Sequence, residues 1–138
     1  MKLAKPEAKQ PDVTLLLHEI ADKVASEWAN ARGPKTSSTC TFLNPHALSL
    51  VLRNALTEPE LKLARTPAGR TLVQRQISQV MDRLYSPLAT AIEAKLHCYV
   101  GGSTVTIDPV TGNVRFTIEL REARRLYNIL QEPLAACV

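Results

Sequence analysis

His97 and Cys98 stand side by side, and a thiol next to an imidazole is the pairing from which cysteine nucleophiles are built: the base takes the proton that an ordinary thiol keeps at neutral pH. On a strand, however, adjacent side chains point to opposite faces. The expected reading is a packed thiol beside a surface histidine. A small hydrolase or ligand-binding domain would need folding to gather Cys98, His97 and a carboxylate in one pocket. The histidines His18, His46 and His97 fall in separate segments, without the H-x-x-x-H or H-E-x-x-H spacing that sets two ligands on one helix face. Cys40, Cys98 and Cys137 contain no C-x-x-C pair, so reduced thiols are expected rather than a zinc site or a disulfide framework.

Two further groups have a structural explanation. Glu58 and Glu60 resemble the paired carboxylates of acid–base catalysis, but Thr57-Glu58-Pro59-Glu60 is also the signature of a helix start, in which the Thr57 hydroxyl and the Glu60 carboxylate each satisfy an exposed backbone N–H. Gly101-Gly102 would let a backbone approach a phosphate, yet it lacks the downstream lysine of a P-loop and the third glycine of a dinucleotide fingerprint. A bulge at the entrance to a hairpin is expected instead. The residues thus point to no catalytic constellation, no cofactor and no metal.

The formal net charge of +4 permits attraction to nucleic acid or acidic membrane, so the placement of the basic residues matters. Lys62, Arg65, Arg70, Arg75 and Arg83 outnumber Asp82 in their segment, but at about 100° per residue Arg70 and Arg75 stand about 140° apart, with Arg83 roughly 80° further round. That distribution is a solvated face. Arg121, Arg124 and Arg125 cluster better and, with Arg115 and Lys35, form the candidate interaction surface. Aromatic residues make up only 4% of the chain, which leaves few stacking platforms for single strands.

The elements that must position these residues are legible from spacing. Val13, Leu16, Leu17, Ile20, Val24 and Trp28 mark one face of a helix over about residues 12–32, capped by Asp12 and stopped by Gly33 and Pro34. The threonine-rich stretch 35–42 predicts a strand, and Asn44-Pro45 a turn. Residues 47–56 predict a second strand. Because Leu50, Val51 and Leu52 are consecutive, that strand is expected to be apolar on both faces, with the surplus buried in a homodimer. The capping box opens a short helix ending near Arg65. After Thr66-Pro67, the stripe Val73, Ile77, Val80, Met81, Leu84, Leu88 and Ile92 predicts a long helix to about Leu96, which Pro87 must kink or divide with Ser86 as a new cap. Alternation at Val105 and Ile107, then at Val114, Phe116, Ile118 and Leu120, around the turn residues 108–113 predicts a β-hairpin. A last short helix covers 121–131, before Pro133.

This grouping favours an α+β fold: a mainly antiparallel four-stranded sheet made of two strand pairs, with a long N-terminal helix, a long kinked central helix and a short C-terminal helix packed on one face. A chain of 138 residues fits one domain, expected over 11–132, between a flexible basic tail at 1–10 and a C-terminal tail at 133–138. No apolar run reaches the length of a membrane span and the first ten residues lack the apolar segment of a secretory signal, so a cytoplasmic location is expected.

Three stretches taken together, Gly33-Pro34-Lys35-Thr36 after an amphipathic helix, Leu56-Thr57-Glu58-Pro59-Glu60 opening the next, and Asp108-Pro109-Val110-Thr111-Gly112 before a strand carrying Phe116, resemble the MpsC-like family of small bacterial proteins, long known as a domain of unknown function. The resemblance covers about residues 12–120. It implies a soluble component of a membrane system that moves sodium or supplies inorganic carbon as bicarbonate, and it implies no catalytic residues. The leading expectation is a non-enzymatic accessory or regulatory protein, a homo-oligomer with the dimer favoured, with a membrane transporter as partner. The alternative is a nucleic-acid binder using the basic patch, whose binding would weaken steeply with salt.

Overall fold

The computed structural model describes residues 12–33 and 36–131. The expected tails at 1–10 and 133–138, together with Pro34, Lys35, Pro133 and Cys137, lie outside the described residues. Helix α1 (Val13–Arg32) begins where the Asp12 carboxylate accepts from the Leu15 N–H and ends at Gly33, whose φ of 100° few other residues tolerate. Its buried stripe of Val13, Leu17, Ile20, Val24 and Trp28 follows the three- and four-residue spacing.

Strands β1 (Ser37–Asn44) and β2 (Ala47–Arg53) form an antiparallel hairpin, and so do β3 (Tyr99–Ile107) and β4 (Val114–Arg121). The hairpins join through an antiparallel β2–β4 pairing, giving a wholly antiparallel sheet of order β1-β2-β4-β3. Strand β2 is shorter than expected because Asn54 turns into the left-handed region at φ 51°. Leu48, Leu50 and Leu52 have no exposure and lie on one face, while Ala47, Ser49, Val51 and Arg53 lie on the other. The strand is therefore not apolar on both faces. Its consecutive apolar letters come down to half-buried Val51, which shares the outer side with half-buried Ala47, buried Ser49 and exposed Arg53.

Between the hairpins, α2 (Glu58–Leu63) carries the capping box, with Glu60 accepting from the Thr57 N–H and Thr57 accepting from the Glu60 N–H. It ends two residues earlier than expected. Helix α3 (Pro67–Leu96) is capped by Thr66 and runs uninterrupted for 30 residues. Pro87 does not divide it. The ring faces solvent, and Ser86 serves as the carbonyl that accepts from the Thr90 hydroxyl rather than as a cap. Packing along Val73, Ile77, Val80, Leu84, Leu88 and Ile92 holds the helix through the missing hydrogen bond. Short helix α4 (Arg124–Gln131) follows β4, with Leu126 buried.

The core lies between the helices and one face of the sheet, where Trp28 packs at 6.2 Å against Phe116, and Leu48, Leu50, Ile77, Leu88, Ile92 and Ile118 are almost wholly buried. Each such aliphatic side chain contributes about 2 kcal/mol by leaving water. Helices α1 and α3 lie against β1 and β3 respectively, so among the described residues no helix layer covers the opposite face of the sheet.

Candidate functional site

Strand parity decides what the uncovered face displays. With Leu48, Leu50, Val114, Phe116, Ile118 and Leu120 turned to the core, the partners at odd positions of β2 and β4 face outward. The register then places Thr41 beside Ser49, Ser49 beside Thr117, and Thr117 beside Thr104: a row of four hydroxyls crossing all four strands. The next row is Thr39, Val51, Arg115 and Thr106. On the other side of the hydroxyl row stand Asn44, Ala47 and Glu119, with the Gly101–Gly102 bulge completing the row on β3. β-branched threonine suits such a face, since its methyl fills the pleat while its hydroxyl remains available to a neighbour.

Two open concavities flank the hydroxyl row. One, of about 420 Å³, is bounded by Glu119, Asn44, His46, Ser103, Thr104 and Thr117. The other, of about 200 Å³, has Arg115, Val51, Thr106, Asp108 and Asn113 at its walls. The register of β3 shifts between Val100 and Ser103, which confirms the bulge read from Gly101-Gly102. Glu119 accepts from the Gly102 N–H at 3.3 Å, and from the helical side the Tyr85 hydroxyl donates to the Gly101 carbonyl. The bulge is thus tied to both layers, and Glu119 is held in place at the edge of the larger concavity.

The sequence-derived interaction residues do not form one compact patch. Arg115 and Arg121 both face outward from β4, roughly 20 Å apart along the strand, with Glu119 between them. Arg124 and Arg125 open α4, and Arg125 borders a separate concavity with Lys95, His97 and Glu122. Arg121, Arg124 and Arg125 thus follow one another across the β4–α4 junction, and Arg115 stands apart along β4. Lys35 is outside the described residues.

His97 and Cys98 lie at a helix–strand junction rather than on a strand. His97 ends α3 in the left-handed conformation and is exposed, whereas Cys98 is buried. Burial, with a smaller contribution from the Glu93 carboxylate, pushes the Cys98 thiol up to about 11, which keeps it protonated at neutral pH. Cys40 is pushed up to about 12 by burial alone. Among the described residues, no group of three or more His, Cys, Asp or Glu is placed to hold a metal ion.

One charged contact had no local signal. Arg32, at the end of α1, makes a two-pronged ion pair with Glu60, donates to the Ala55 carbonyl at 3.4 Å, and stacks 5.1 Å from the centre of the Trp28 ring. Burial would raise the Glu60 carboxyl, but hydrogen bonds from Arg32 and Thr57, and the Arg32 charge, outweigh it and hold the group below its ordinary range. The pair fastens α1 to α2 and leaves Glu60 no free role in acid–base chemistry.

The profile of MpsC, described as a Na+-translocating membrane potential-generating system, matches residues 14–122, well over half of the chain. The chain belongs to the MpsC family. That match embraces α1, the whole sheet and both middle helices, and it stops just before α4. No curated protein and no solved structure matches the chain. Among the described residues of this MpsC-family chain, no helix is long and apolar enough to cross a membrane.

Proposed function

We propose that this MpsC-family chain is a non-enzymatic accessory or regulatory protein of a membrane sodium or inorganic-carbon system, acting through protein–protein surfaces. The observation that carries this reading is the uncovered side of the sheet. A four-stranded surface is fixed in position by a packed core on its other side, and it carries hydroxyls, the Glu119 carboxylate and the guanidinium groups of Arg53, Arg115 and Arg121 in ordered rows. Such a face is preorganised for another macromolecule, which lowers the ordering cost of association. The thiol with the strongest chemical interest, Cys98, is buried and protonated, and the Glu60 carboxylate is committed to Arg32.

The test uses membrane vesicles from cells that carry or lack this chain, with the sodium-dependent potential followed by a voltage-sensitive dye. The expected result is a smaller potential in its absence, regained when the purified chain is supplied during vesicle preparation. Equal potentials in the two vesicle types would reject the assignment to this system.

A further inference from the structure

We infer that the uncovered sheet face is a two-fold interface with a second copy of this chain, in which Arg115 enters the concavity beside the partner's Glu119. The inference rests on the surface-acting reading above and names the occupant of that same face.

A two-fold axis along the row Thr41, Ser49, Thr117 and Thr104 keeps β4 over its own copy and reverses its direction. Positions two residues either side of Thr117 then exchange. Arg115 comes opposite the partner's Glu119, Glu119 comes opposite the partner's Arg115, and Val51 meets the partner's Ala47. The opposite charges lie on one strand and one face, on either side of Thr117, which sits on the axis. That spacing makes the face complementary to itself.

Shape agrees with charge. Arg115 stands beside the smaller concavity, and the larger one opens next to Glu119, with room for a guanidinium among hydroxyl and amide acceptors. Glu119 spends one hydrogen bond on the Gly102 N–H and keeps further lone pairs for a cation. Packed sheets cross at about 30° and stand about 10 Å apart, so contacts near the axis persist while the ends diverge. Arg121, at the far end, falls opposite the partner's β3–β4 turn, which carries Asp108 and Asn113.

The test is mass in solution by light scattering over a concentration series, on the full chain and on four variants. The unmodified chain is expected at twice the chain mass. Arg115→Glu and Glu119→Arg are each expected to weaken the dimer about tenfold or more, because every change acts twice in a two-fold interface. The double variant R115E/E119R restores the opposite-charge pairing and regains the dimer. Thr117→Arg places bulk and like charge on the axis, touches no core residue, and is expected to give a folded monomer by circular dichroism. A monomeric unmodified chain, a dimer that survives Thr117→Arg, or a dimer lost in both single variants and not regained in the double would each overturn the inference. Running Thr117→Arg in the vesicle assay separates this from the broader reading. A monomeric native chain whose membrane activity falls with Thr117→Arg defeats the dimer and leaves the surface-acting role standing. Vesicles that show no dependence on the chain at all defeat that role as well.

Discussion

Arg32 and Glu60, 28 positions apart, close a two-pronged ion pair with side chains only 10% and 11% exposed. Each also serves another contact: Arg32 stacks on Trp28, and Glu60 accepts from the Thr57 N–H that opens α2. Removing the charge of Glu60 at nearly constant volume therefore leaves a guanidinium short of its partner. Glu60→Gln is expected to lower unfolding stability by about 2 kcal/mol, read from urea titration with an unchanged slope.

The same carboxylate sets an acid response. Its native pKa lies below the ordinary 4.5, so in that window the unfolded chain binds more protons than the folded one. The stability contributed by Glu60 is present above that ordinary value and is lost as pH falls through the native one. Thermal unfolding measured below pH 4.5 should decline more steeply for the unmodified chain than for Glu60→Gln. Parallel declines would show that the pair does not couple to protonation.

Pro87 interrupts the hydrogen-bond ladder of α3 on its solvent side, where nothing in the core depends on the ring. Pro87→Ala restores a donor to the Arg83 carbonyl and removes the ring's clash with the preceding turn. Stability should rise by about 1–3 kcal/mol, visible as a higher melting temperature. A lower melting temperature would mean that the helix uses the proline to fit the sheet.

Gly69 gives the opposite sign. Alanine is the better helix former, yet a Cβ at Gly69 would collide with the backbone carbonyl of Leu63, which cannot swing away as a side chain can. Gly69→Ala should cost about 2–3 kcal/mol by forcing α2 from the start of α3. A neutral result in denaturant titration would show that this junction gives readily.

Cys40 and Cys98 are both buried free thiols with raised pKa values. At pH 8 the thiolate fraction of a group near 11 is about one in a thousand. In a Cys137→Ser background, a thiol reagent should react slowly with the native chain and with two thiols promptly after denaturation. Fast reaction of one thiol in the native state would expose Cys98 as reactive and revive a catalytic reading of His97-Cys98.

The sequence by itself determined the local events. Asp12 caps α1, Thr57 and Glu60 make the reciprocal box, Gly33 closes the first helix, and Gly101-Gly102 makes the bulge. Each depends on residues within a few positions of one another, so propensity and turn chemistry suffice to read them. The family resemblance was legible for the same reason, since the stretches that carry it, Gly33 to Thr36, Leu56 to Glu60 and Asp108 to Gly112, are local capping and turn signals. Tertiary structure alone decided the rest. Continuity of α3 through Pro87 depends on packing along its other faces, which outweighs one lost hydrogen bond. The meeting of Arg32 with Glu60 requires the end of α1 to return beside α2, and no spacing rule encodes that return. The threonines of β1 and β3 looked like ordinary strand formers until pairing in the order β1-β2-β4-β3 aligned them with Ser49 and Thr117. A face is a property of register between strands distant in the chain, and register is fixed by the hydrophobic side of the sheet, not by the polar side that it leaves exposed.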